Sequence, residues 1–249
     1  MSHEPRAETN IIAMDQTYDC SHVVDIAEEP RHHLVLENEF VRAFAVEIQP
    51  HDRTLCHRHP QDYLLFVASG SEIISAARGE EPKRLSYRDG ECELSEAGLV
   101  HVVENLGDNA FRNVVVELSR RAGELRRGAH PTRTVGEVSV SRILDEERAA
   151  ILSIEIDPGA EVEISGPAVV ATPHGNKLNP DAIDVVEVKS HVVCDIAWIP
   201  PGAAAVLWGC WEQTESAIVF QIGRTEEQGD AVSNVRNPLK SLRAHTEPE

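Results

Sequence analysis

Residues 51–70 read HDRTLCHRHPQDYLLFVASG. Within them His57 and His59 stand one residue apart, just ahead of an apolar run that ends at Gly70. A run of this composition, bounded by Pro, Asp and Gly, reads as a β-strand. On a strand, side chains at i and i+2 share a face, so both histidines can project into a barrel interior and share one ion. Alone, the pair reads more readily as two surface histidines near a turn. A second segment changes that balance.

Residues 90–105 read GECELSEAGLVHVVEN. Together the two segments resemble the paired motifs of the cupin superfamily. The first motif there is a glycine, His-x-His, a glutamate and a closing glycine. The second is a glycine, Pro-x-Gly, a histidine and an asparagine. His57, His59 and Gly70 fit the first at the family spacing, and Gly90, Gly98, His101 and Asn105 fit the second. The resemblance covers residues 31–120. It implies an all-β jelly-roll barrel in which His101, from another strand, faces the His57/His59 pair. The departures are informative too. His51 stands at the opening glycine, Glu96 at the proline, and Tyr63 at the glutamate ligand. Asp62 is one residue out of phase, which turns it to the other face of the strand.

Three histidine positions therefore carry over, and a fourth, carboxylate ligand does not. The implied cofactor is a divalent transition metal: Fe, Mn, Ni, Cu or Zn, with Fe or Mn favoured by the resemblance. With no carboxylate to cancel charge, the site keeps an effective +2 and open positions. Such a site favours a small anionic or oxygen-chelating substrate. Tyr63 is expected to point inward, either as a catalytic hydrogen-bonding group or as a core side chain with its hydroxyl paired. Cys56 and Arg58 alternate with the histidines and are expected to face away. Cys92 reads as a buried hydrophobe and His51 as a surface turn residue. His32 and His33 can reach the barrel mouth but read more readily as a solvated strand end, and Gln61 is a lesser candidate for a polar group near the metal.

Working outward, short apolar runs punctuated by Gly, Pro, Asp or Asn recur along the chain, including 33–37, 41–48, 63–68, 72–77, 100–104, 114–118, 150–156, 184–188, 204–208 and 217–222. Amphipathic helices are not legible between them, which argues against a βαβ architecture. An internal repeat appears as well. Ile48-Gln49-Pro50 matches Ile156-Asp157-Pro158, and residues 114–118 resemble 218–222. Two similar domains follow from a repeat of that period. The expected fold is all-β, two tandem cupin jelly-roll barrels, a bicupin. The expected divisions are an N-terminal extension (1–30), a metal-binding cupin domain (31–120), a linker (121–137), a degenerate cupin domain (138–224) and a C-terminal tail (225–249).

The second domain resembles a cupin less closely. Counting from Gly159 puts Ser165 and Pro167 where His-x-His belongs, and Ala205 and Gly209 where histidine and asparagine belong. His174 and His191 lack ligand spacing. This barrel is expected to hold no metal and to serve as a scaffold or dimerisation half. Trp198, Trp208 and Trp211 all lie in it and are expected to fill its interior.

The formal net charge of −19 over 249 residues argues against affinity for nucleic acid or anionic membrane. No apolar run is long enough to span a bilayer, and residues 1–16 lack a signal-peptide core. Five cysteines, none in a CxxC pair, suggest no disulfide framework, so a reducing cytoplasm is the expected setting. The expected partners are a small-molecule substrate and a second copy in a homodimer. Resemblance to three-histidine cupins implies an Fe(II) dioxygenase or a non-redox lyase, including Mn-using hydroxynitrile lyases. A non-catalytic binding module is an alternative from another class. A metal-free epimerase needs a His–Asp pair that is not evident.

Overall fold

The computed structural model describes residues 18–127, 131, 133–173, 188–191, 194–209 and 214–224. The first set of strands is β1 (Val24–Asp25), β2 (His32–Glu37), β3 (Val41–Ile48), β4 (His57–Arg58), β5 (Asp62–Ser69), β6 (Glu72–Ala77), β7 (Lys83–Ser86), β8 (Cys92–Ser95), β9 (Val100–Asn105) and β10 (Phe111–Leu118). The second set is β11 (Arg133–Val135), β12 (Val138–Asp145), β13 (Ala149–Ile156), β14 (Glu161–Ser165), β15 (Ala168–Pro173), β16 (Val188–Ser190), β17 (Cys194–Ile199), β18 (Ala204–Trp208) and β19 (Glu215–Ile222). Among the described residues the only helical segments are short 3-10 turns, Ile26–Glu28 and Arg120–Glu124. No helix there is long and apolar enough to cross a membrane.

In the first set, the sheet β2-β3-β10-β5-β8 faces the sheet β1-β4-β9-β6-β7. Sequential neighbours such as β4 and β5 lie in opposite sheets, which is the jelly-roll arrangement. The second set repeats it, with β12-β13-β19-β15-β17-β16 in one sheet and β11-β14-β18 in the other. Residues 184–187 of the run expected at 184–188 lie outside the described residues, as do His174, Cys210 and Trp211.

The long strands read as continuous apolar runs because both their faces are buried. Phe44, Val46, Ile48, Leu65, Val67 and Val115 point into the first barrel. The alternate residues, among them Ala43, Ala45, Leu64, Phe66, Val114 and Val116, share one apolar cluster with Ile151, Val169, Ile196, Ile218 and Phe220 of the second. The barrels thus pack sheet against sheet. Their seam also carries an Asp62–Arg148 ion pair, a Phe40–Trp198 stack at 6.0 Å, a His33–His191 ring pair at 4.5 Å and the half-buried Cys92. Asp62 therefore does face away from the first barrel's interior.

The interior of the second barrel differs from the tryptophan-filled one expected from the sequence. Leu152, Ile154, Val162, Ile164, Val170, Ile199, Leu207 and Val219 fill it. Trp198 lies at the seam and Trp208 is 43% exposed. Compact aliphatic side chains close this barrel, and the large aromatics go where one edge can remain outside.

Two motif positions acquire physical reasons. His51 adopts φ 58°, a left-handed turn that a glycine enters at little cost and a histidine does not. Asn105, fully buried, donates through Nδ2 to the carbonyls of Ile48, Gln49 and Asn109, and its Oδ1 accepts from Ser71 and Gly107. It pins three loops at one end of the barrel.

The cysteine expectation is corrected: Cys20 and Cys56 form a disulfide. They are separated by 36 residues, a contact made only when β1 lies along β4. Residues 18–29 are consequently bound to the first barrel, with Ile26 in its core and the Tyr18 hydroxyl donating to Glu104 at 2.7 Å.

Candidate metal centre

β4 and β9 pair so that His57 lies directly opposite His101. His59 continues the same chain beyond β4, its amide donating to the Leu99 carbonyl. The ring centroids of His57 and His101 are 4.6 Å apart, and those of His57 and His59 are 5.1 Å apart. Nε2 of His59 and Nε2 of His101 approach to 3.4 Å. All three residues are buried. The structure therefore brings together the three histidines singled out by spacing.

It adds a fourth. His32, expected at a solvated strand end, is buried, and its ring centroid lies 4.6 Å from that of His57. His32, His57 and His59 each offer a ligand atom within 4.8 Å of the others. The correction has a simple cause. β2 pairs with β3 so that His32 is level with Val46, an inward residue, whereas His33 falls on the other face. Alternation from Val46 would have located it, but pairing register between strands is not written in either strand alone.

Three of the four outer nitrogens have hydrogen-bonding partners. Nδ1 of His32 contacts the Glu29 carboxylate at 2.7 Å, and Nδ1 of His57 donates to the Leu55 carbonyl at 3.0 Å. Nδ1 of His101 meets Ser75 Oγ at 3.1 Å, whereas Nδ1 of His59 has no hydrogen-bond partner, Glu117 Oε1 lying 3.8 Å away. Partners of this kind fix ring orientation and tautomer in metal-ligating histidines. Glu29 also accepts from the amides of Arg31 and Leu55, so it braces both His32 and the turn leading to His57.

Burial is the main electrostatic influence. It lowers the His57 pKa to about 4, helped by the neighbouring His32. Burial and adjacent histidines also hold His59 and His101 well below the ordinary imidazole value. The rings are thus neutral near pH 7, the form that ligates metal. For Glu29, burial alone raises the pKa, but the His32 bond and two amide donors outweigh it and leave it lowered. Burial raises Glu117 to about 7 against the opposing pull of Arg42, which donates to it through Nε at 2.8 Å and Nη2 at 2.5 Å. The Arg42–Glu117 pair was not legible as a site feature. Its signal was a glutamate in phase with the inward Asn113 and Val115, directly after the apolar run Val114–Val116.

Tyr63 points inward, as its spacing implied, and its ring lies against His59 with centroids 4.1 Å apart. Glu117 is its direct cross-strand partner. Burial raises the Tyr63 pKa, partly offset by a hydrogen bond with Ser95, so its hydroxyl stays protonated. Cys56 and Arg58 turn away from the cluster, Cys56 into its disulfide and Arg58 to solvent. His51 is exposed beside Asp108. Gln61 does not line the cavity next to the histidines.

Do these residues fit a metal ion? His57 Nε2 and His59 Nδ1 are buried with no hydrogen-bond partner, and His57 Nε2 belongs to a cluster of buried imidazoles. A buried polar atom left unmatched is costly, and an ion would satisfy it. The donor set suits a first-row transition metal. The fit is good.

In the second barrel the register corrects the position assigned to Ser165. Ala205 pairs with Ile164, and the Gly166 amide bonds to Ala203 as His59 does to Leu99. Ile164, Gly166 and Ala205 thus stand where the first barrel has His57, His59 and His101. A Cβ on Gly166 would lie 2.1 Å from the Pro200 carbonyl oxygen, so no side chain fits there.

No family model matches this chain, and no curated protein matches it. Solved structures do resemble it. A cupin domain from Bordetella pertussis is 23% identical, covering 35% of this chain and 91% of that one, with TM-score 0.34. AerE from Microcystis aeruginosa is 14% identical over 78% of this chain and 98% of that one, with TM-score 0.48. Salicylate 1,2-dioxygenase from Pseudaminobacter salicylatoxidans is 12% identical over 74% and 71%, with TM-score 0.46. Strand order, the duplicated register and the positions of both motifs are what decide the fold: it is the cupin fold, two jelly-roll barrels in one polypeptide.

Proposed function

We propose that the first barrel is a metal centre with His57, His59 and His101 as ligands and His32 as a further nitrogen donor, and that the chain is a metal-dependent enzyme acting on a small molecule that binds through oxygen. The observation that carries this reading is the cluster of His32, His57 and His59, whose ligand atoms lie within 4.8 Å of one another, with the buried His101 ring 4.6 Å from that of His57 and the Nε2 of His57 otherwise unmatched. Iron(II) or manganese is the ion favoured by the cupin resemblance, and with iron the reaction is a dioxygenation. When bound, the ion supplies a Lewis-acidic, divalent centre whose charge no coordinating carboxylate cancels.

The chain's own residues do the rest. Glu29 orients His32 from behind, and Glu117 places its carboxyl 3.8 Å behind His59. Tyr63 holds the His59 ring by stacking, and its protonated hydroxyl is a donor for a substrate oxygen. Apolar walls, including Leu65, Ile73, Val103 and Phe111, exclude water from the cavity beside the cluster. The Cys20–Cys56 bridge bears on compartment. Such bridges persist in oxidising surroundings, so in the cytoplasm both thiols would be free.

Elemental analysis of natively purified protein tests the metal reading. A single transition-metal ion per chain is expected in the wild type and none in His57→Ala. Wild-type protein that remains metal-free after incubation with Fe(II) or Mn(II) overturns it. Oxygen uptake by the Fe(II)-loaded protein with a panel of diketones, thiols and hydroxy acids tests the reaction. Metal retention without uptake removes the dioxygenase and leaves a non-redox lyase.

A further inference from the structure

We infer that Asn113 selects the ligand of this centre, and that the ligand is a molecule the size of one six-membered ring, with an oxygen for the metal at one end and a hydroxyl for Asn113 at the other. The inference rests on the metal reading above.

The cavity beside the histidines has a volume of ≈ 150 Å³. That is the size of an apolar cavity that takes benzene. Its walls are mostly apolar, with Val46, Leu65, Ile73, Phe111 and Val115 among them. Its polar groups away from the histidines are mostly engaged with one another. Ser95 and Tyr87 donate to Glu93 at 3.3 and 3.4 Å, and Ser75 meets His101. Asn113 is the exception. It is 3% exposed, it lines the cavity, and its Oδ1 has no partner.

A buried amide oxygen left bare is disfavoured unless something else binds to it. β5 bulges opposite this residue: Arg112 pairs with Ser69 and Asn113 with Val67, which leaves Ala68 as the extra residue. Asn113 and Glu117 share a face of β10 four residues apart, about 13 Å along the strand. Glu117 is beside His59, so Asn113 lies towards the far end of the cavity. A hydroxyl both donates and accepts, so it satisfies the amide in either orientation. The equivalent position in the second barrel, whose interior is closed, is Ala217.

The test uses full-length protein loaded with manganese(II), its metal content measured first. Benzoate and the three hydroxybenzoate isomers are then titrated calorimetrically into the wild type and Asn113→Leu. One hydroxy isomer is expected to bind the wild type about tenfold more tightly than benzoate, as one buried hydrogen bond allows. Asn113→Leu is expected to lose that advantage while keeping its metal and its benzoate affinity. Equal affinities across the wild-type series overturn the inference, as does an advantage that survives in Asn113→Leu. Metal-loaded protein that binds none of the four also overturns it, leaving the metal reading intact. Protein that takes up no metal removes both. If the leucine variant fails to fold, the wild-type isomer series decides by itself.

Discussion

The two barrels share a framework and differ in what they enclose. In the first, Arg42, Glu117 and Tyr63 form one inward row across three strands. The matching row in the second is Ala150, Gln221 and Ala168. His57, His59 and His101 give way to Ile164, Gly166 and Ala205. At the seam, by contrast, both barrels are apolar: Val114, Val116 and Leu118 stand where the second barrel has Ile218, Phe220 and Ile222. Framework and chemistry are therefore carried by alternate residues of the same strands. One face of each strand holds the barrels together, and the other is free to become a site or a filled core.

The strongest way to break this comparison is to charge the shared face. Val116→Asp buries an unpaired carboxylate between the barrels and is expected to cost about 4 kcal/mol or more. Both barrels are expected to be lost in one transition, monitored by circular dichroism against urea. Two separate transitions would show that the seam does not couple them.

Metal removal comes next and acts on one interior only. With free metal at a thousand times its Kd, binding adds about 4 kcal/mol of stability. Excess chelator is then expected to lower the melting temperature by roughly 10 °C. His101→Ala, which removes a ligand from the first barrel, is expected to melt identically with and without chelator. A chelator effect that persists in this variant would place the ion elsewhere.

The smallest effect sharpens the comparison. Glu117→Gln keeps the side chain's shape and converts that position to the residue of the second barrel. Metal affinity is expected to fall by up to about 10-fold, the lower end of the effect seen for hydrogen-bonded partners of ligating histidines, since Glu117 stands 3.8 Å from His59 Nδ1. The reverse change, Gln221→Glu, is expected to leave metal affinity unchanged. Competition with a chelator of known affinity reads both.

Much of this was legible in the sequence, for reasons that differ by element. His57, His59 and His101 could be found because motif spacing along a chain is a one-dimensional quantity. The strands could be found because their apolar runs are short and bounded by turn residues. His32 could not, because its inward facing depends on how β2 registers against β3. The same kind of one-residue slip moved Ser165 out of the position that counting had given it, and Ile164 into it. Cys20 and Cys56 were missed because their pairing needs β1 to lie along β4, a parallel contact with no local signature. The tryptophans were misplaced because size alone suggested an interior role.

Burial of β3 and β10 on both faces has a kinetic consequence. Their amides are hydrogen-bonded to strands on either side and covered above and below, so neither fraying nor loop motion exposes them. In native-state hydrogen exchange they are expected to form the slowest set, opening only when the whole molecule unfolds. The β13 and β19 amides are expected to belong to that set too, although none of the four clustered histidines lies on either strand. A bound ion would therefore retard exchange at amides in the barrel that does not hold it.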